Sequence, residues 1–184
     1  MISGLRFNQP FQARACSHCP ATPDEGRGNE IDTVLPAEGT GFKTYNRETD
    51  GKDQVGLSST IDWFVQAGTG WAQRSEIPFQ VGDISRRGGG AFPPHEGHRN
   101  GNEADLRPFR KDDQMAPTNI NDPSYSRDRT RDFVKFVREQ TPGVTVLFND
   151  PQLIKEGLTR FYKGHHNHLH LRLPGGLDQD PISC

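Results

Sequence analysis

Six of the seven histidines of this chain fall in two short stretches far apart in sequence, and no other feature constrains the fold as strongly. The first stretch holds His95 and His98 and is followed by Asp105; the second holds His165, His166, His168 and His170. Residues 168–173 alternate as a strand does, which turns His168 and His170 to one face and Leu169, Leu171 and Leu173 to the other. Two imidazoles side by side, joined by a carboxylate and another imidazole from elsewhere, make a donor set for a zinc ion; three ligands leave a fourth position open. One ion can reach both stretches only if the strand with His168 and His170 lies beside the strand with Asp105. A lone His-x-His pair would also suit a solvated strand face. The occurrence of both stretches in one chain carries the metal reading.

The remaining pattern predicts an α+β domain with a central, mostly antiparallel sheet, flanking helices and long ordered loops. Residues 1–56 are polar and rich in Gly, Pro, Asp and Glu, and read as a loop-rich N-terminal arm to a core over 57–184. A helix is expected from about Thr60, capped by Ser58 or Ser59, with Ile61, Phe64, Val65, Trp71 and Ala72 on one face. Gly68 and Gly70 weaken its far end. Phe79–Ser85 and Ala104–Arg107 read as strands flanking a Gly/Pro/His loop. A helix over Asp128–Gln140 presents Phe133, Phe136, Val137 and Gln140 at helical spacing, and Pro142 and Gly143 stop it. A β-branched strand over 144–148, a short helix from Asp150-Pro151 and the final strand complete the chain. Helices and strands do not alternate regularly, which disfavours a doubly wound sheet.

A length of 184 residues suits one domain, and Leu, Ile, Val and Phe make up about a fifth of it, so the core is expected to be thin. The longest apolar runs are three residues, as at Trp63-Phe64-Val65, which excludes a membrane-spanning helix. A net charge of −2 gives no argument for nucleic acid or a membrane surface as partner. The first residues show no apolar stretch of the length an export signal needs. Cys16 and Cys19 flank His18 in a Cys-x-x-Cys, which suits a redox pair, half a zinc site, free thiols, or a staple of one of them to Cys184.

Other metal chemistries fit less well. A His-Glu-x-x-His helix would need histidine at position 99, where Arg99 stands. A facial triad with iron usually starts with His and a carboxylate two apart, which His98 and Asp105 are not. A structural zinc finger would draw mainly on cysteine.

His98 and Asp105, separated by six residues, and the later His168-Leu169-His170 resemble the penicillin-insensitive murein endopeptidases. These belong to a wider group of zinc peptidases with lysostaphin-type enzymes, D-alanyl-D-alanine metallopeptidases and hedgehog domains. The murein endopeptidases carry an extra histidine three before each half, as His95 and His165 do here, and Arg87-Gly88-Gly89 and Gly101 resemble their surroundings. The resemblance covers about residues 79–107 and 161–173.

The resemblance implies zinc held by His98, Asp105 and His170, with His168 as general base and His165 assisting it. It implies Arg87 on the developing oxyanion or a substrate carboxylate, with Arg86 as its competitor, and His95 and Tyr162 lining the substrate site. His166 matches no ligand position, and Phe161-Tyr162-Lys163 stands where the family favours tryptophan. The implied activity is hydrolysis of D-alanyl–diaminopimelate cross-links of the bacterial cell wall. A stem-trimming carboxypeptidase or dipeptidase and a non-catalytic zinc-containing binding module remain alternatives. An enzyme of this kind would act in the periplasm or cell wall, as an injected toxin, a phage lysin or a trimmed periplasmic enzyme. As an injected toxin it would have an immunity or inhibitor protein as partner.

Overall fold

The computed structural model describes residues 30–47 and 49–175. His18 and the three cysteines, with every pairing considered for them, lie outside the described residues. In chain order the strands are β1 (Ile31–Val34), β2 (Glu38–Gly39), β3 (Phe42–Thr44), β4 (Val55–Leu57), β5 (Phe79–Val81), β6 (Glu103–Leu106), β7 (Thr145–Leu147) and β8 (Leu169–Arg172). The helices are α1 (Ser58–Ala72), α2 (Arg127–Gln140) and α3 (Pro151–Lys155). Among the described residues, β1 and β4 form a two-stranded antiparallel sheet, and the rest form a six-stranded sheet in the order β2-β3-β5-β6-β8-β7. Only β3 and β5 pair in parallel, so the domain is α+β with a mostly antiparallel sheet. No helix among the described residues is long and apolar enough to cross a membrane.

The core lies between this sheet and helices α1 and α2. Its centre is aromatic: Phe133 stands 5.1 Å from Phe79, 5.2 Å from Trp71 and 5.4 Å from Phe109, centroid to centroid. Large rings give much buried area per residue, which is how a chain with few aliphatic residues fills its interior. Ala104 and Leu106 of β6 and Leu169 and Leu171 of β8 join the same cluster. Gly68, expected to weaken α1, is instead a packing requirement: a Cβ there would collide with the Thr40 carbonyl. The helix turns Val65 out to solvent, 41% exposed, so Ile61, Phe64 and Trp71 form the buried face without it.

Three expectations need correction. The described part of the loop-rich arm holds β1 to β3 and most of β4, and Phe42 of β3 pairs with Phe79 of β5, so it is strand-bearing and part of the sheet. Strands of two to four residues have too few positions to show a period; pairing with a distant neighbour forms them, not local propensity. Helix α1 starts at Ser58 with Leu57 at its N-cap and no side-chain cap, because the Ser58 hydroxyl pairs with Thr33 Oγ1 at 2.8 Å. The first strand of the site region stops at Val81, where the chain turns toward Asp83 and Ser85.

Candidate metal centre

β8 runs antiparallel beside β6, with His170 opposite Asp105 and Arg172 opposite Glu103. The two-residue period sends the alanine and leucines of these strands into the core and leaves Glu103, Asp105 and His170 on the other face. His98 arrives from the loop before β6 with φ +62°, a left-handed conformation that a non-glycine residue rarely adopts. It is pinned there. The Ser85 hydroxyl donates to its carbonyl at 2.6 Å, and Glu103 Oε2 accepts its backbone N–H. A Cβ at Gly97 would collide with Glu103 Oε2, so a larger residue there would displace that carboxylate.

The ring nitrogens then sort themselves around Asp105. The Ile84 carbonyl can only accept, so His98 donates to it through Nδ1–H at 2.9 Å, and Nε2 stands 3.1 Å from Asp105 Oδ1. His170 Nδ1 stands 3.0 Å from the same oxygen, and His168 Nε2 stands 3.7 Å from it. His95 approaches the other oxygen, Nδ1 at 3.5 Å from Oδ2, while its Nε2 is 3.0 Å from Asp83 Oδ2. The His165 ring lies 4.5 Å from that of His168 and 5.5 Å from that of His170. Donor atoms of a zinc tetrahedron with bonds of roughly 2.0–2.2 Å stand roughly 3.3–3.6 Å apart, and the distances from Asp105 to these nitrogens lie near that span. His95, His98 and Asp105 each offer one ligand atom, all within 4.8 Å of one another, and this group could hold a metal ion.

The electrostatics follow from burial and from these contacts. Burial pushes Asp105 up, but hydrogen bonds from His170 and His98 outweigh it and hold the carboxyl far below the usual carboxylate range. Glu103 is likewise pushed up by burial and brought down to about 2 by His170, the His98 amide and Arg172. Burial lowers His170, yet Asp105 and Glu103 raise it to about 9. His168 has the same burial penalty without comparable partners and falls to about 4. Burial also lowers His165, whereas the Asp83 carboxylate raises His95. At neutral pH His168 is therefore uncharged and able to accept a proton.

The cavity in front of Asp105 has a volume of about 740 Å³, and His95, His98, His165, His168 and His170 all line it. Tyr162 lines it too, and its hydroxyl donates to Glu96 Oε2 at 3.0 Å, joining the loops on its two sides. Asn149 fixes the second loop: its side-chain NH2 donates to the Tyr162 carbonyl, its Oδ1 accepts the Tyr162 N–H, and its backbone N–H donates to the His165 carbonyl. His166 is exposed, as a loop residue should be. Arg86 and Arg87 do not line the cavity. Both are exposed, and Arg86 spends its Nε on the Gly89 carbonyl of its own turn. The cations that do line it are Lys163 and Arg172, which sequence reasoning missed. Glu103 and Asp83 were missed as well. Glu103 was within reach of the strand period, two residues before Asp105 on the same face; Asp83 had no local signal. Compared with models of known protein families and with curated proteins, the chain matches none.

Proposed function

We propose that this chain is a zinc-dependent peptidoglycan endopeptidase that hydrolyses D-alanyl–diaminopimelate cross-links of the bacterial cell wall. The observation that carries the reading is the convergence of His98 Nε2 and His170 Nδ1 on one oxygen of Asp105, inside an open cavity lined by three further histidines. His98, Asp105 and His170 are the ligands. His95 is the other candidate for the third position, but it faces the opposite Asp105 oxygen and its far nitrogen is committed to Asp83. A zinc ion bound there supplies Lewis acidity, lowering the pKa of water from 15.7 to roughly 7 and polarising the scissile carbonyl.

The chain's own side chains supply the rest. His168, neutral and half-exposed beside the ligands, takes the proton of the attacking water and returns it to the leaving amine. His165, whose ring packs on that of His168, steadies the tetrahedral intermediate. His95 and Tyr162 border the bound peptide, and Lys163 and Arg172 offer positive charge to its carboxylates, the task the resemblance implied for Arg87 or its competitor Arg86. Those same two cations favour the alternative reading as a carboxypeptidase, whose substrate ends in a carboxylate.

Digestion of purified sacculi, followed by separation of the muropeptides, decides. Loss of cross-linked dimers is the expected result. Shortened stems without loss of dimers would make the enzyme a carboxypeptidase, and unchanged muropeptides with metal bound would make the domain a binding module. Action at the wall further requires that expression with an added periplasmic leader lyses cells and that cytoplasmic expression does not.

A further inference from the structure

Glu103 is the most committed polar side chain behind the metal group, and the reaction outlined above does not use it. It is 5% exposed, on the strand that carries Asp105 and on the same face. Oε2 accepts the backbone N–H of His98 and stands 3.5 Å from His170 Nε2; Oε1 accepts from Arg172 Nε, whose residue is its cross-strand neighbour. One carboxylate thus touches a ligand from each of the two histidine stretches, and it lies in the space that a side chain at Gly97 would fill.

We infer that Glu103 is the positioning residue of the metal group, holding the His98 turn in its left-handed conformation and turning the His170 ring so that Nδ1 faces the ion. The reason is geometric. Both carboxylates can only accept; with an ion held on Asp105, the ion would take the lone pair of the nearer nitrogen, Nδ1, and Glu103 would keep the proton on Nε2. Arg172 occupies the other oxygen and keeps the carboxylate from rotating. The two ligand histidines therefore bind through different atoms: His98 through Nε2, because the Ile84 carbonyl takes its Nδ1–H, and His170 through Nδ1, because Glu103 takes its Nε2–H. Glutamine at position 103 keeps the shape but replaces one acceptor by an NH2 donor, which must then confront either the Arg172 guanidinium or the N–H groups of His98 and His170.

The inference rests on His170 as a ligand and not on the substrate, so its test reads the metal alone. In the zinc-loaded full chain, long-range proton–nitrogen spectra of labelled histidine should show His170 protonated on Nε2 and bound through Nδ1, with His98 the reverse. Binding of His170 through Nε2 overturns the inference, and this measurement needs no substitution. Zinc affinity, read by competition with a chromophoric chelator, should fall about 10- to 100-fold in Glu103→Gln, and the ligand-field absorption of the cobalt-loaded protein should shift. A lower melting temperature of the metal-free variant with wild-type zinc affinity and an unchanged cobalt spectrum would mean that Glu103 only supports the fold, and the inference fails. A wild-type chain that binds zinc in the expected tautomers yet leaves muropeptides intact overturns the proposed activity and leaves Glu103 its role.

Discussion

On one face of the β6–β8 pair, Ala104, Leu106, Leu169 and Leu171 join the aromatic cluster; on the other, His170 contacts both Glu103 and Asp105. The two faces are buried almost equally: Leu106 and Leu169 are 0% exposed, and Glu103, Asp105 and His170 are 5%, 6% and 6% exposed. Their energetics differ. The apolar face gains from every ångström squared removed from water, whatever its exact partners. The polar face pays desolvation first and recovers it only through specific hydrogen bonds and ion pairs, each with its own direction. A missing partner there is costly, which makes the polar face the less tolerant of the two.

The largest expected effect separates the faces outright. Asp105→Ala should lose metal and muropeptide hydrolysis together, measured by metal content and turnover on a cross-linked muropeptide. If it keeps both, the polar face is not the site. His168→Ala refines the division within that face. It should keep zinc at near full occupancy while turnover falls about 10²- to 10⁴-fold, the usual worth of a positioned acid–base group. His170→Ala, by contrast, should lose the metal, and the reverse pattern would exchange the ligand and the base.

Leu171→Ala probes the apolar face. Urea unfolding should show a loss of about 2–5 kcal/mol with the metal stoichiometry of the folded protein unchanged. A coupled loss of metal would show that the two faces do not act independently.

Two buried polar groups outside the site extend the comparison. Asp150 caps α3 and accepts from the Tyr125 hydroxyl, from Arg127 and from the Gln152 amide. Burial pushes its carboxyl up, but these donors outweigh burial and hold it below its ordinary range. A lowered folded pKa stabilises in full above the unfolded value, and that stability is lost as pH falls through the folded one. Asp150→Ala should therefore cost about 1–3 kcal/mol at pH 7, with the gap from wild type narrowing in acid. A gap independent of pH would remove charge from the explanation. Gln54 is the opposite case: it is 0% exposed, and neither side-chain amide atom has a hydrogen-bond partner among the described residues. Gln54→Met should be neutral or raise stability by up to about 1 kcal/mol in the same unfolding assay. A loss would reveal a buried water bound to the amide.

What could be read from the sequence alone was local. The spacing of His98 and Asp105 was read through the resemblance to known zinc peptidases, whereas the parity of His168 and His170 and the burial of Leu169 and Leu171 needed only the period of a strand. Helix α2 was legible for the same reason, because Phe133, Phe136 and Val137 repeat at helical spacing within one segment. Tertiary structure decided whatever depends on a partner far along the chain. It made strands within residues 31–44, where no period could show, by pairing β1 with β4, β2 with β3 and β3 with β5. It put Lys163 and Arg172, not Arg86 and Arg87, on the cavity wall, and it recruited Asp83 to His95 and Glu103 to both ligand stretches. Side-chain chemistry belongs to each residue, but the partners that satisfy a buried charge are chosen by strand register and loop path, and those are set only when the whole chain has folded.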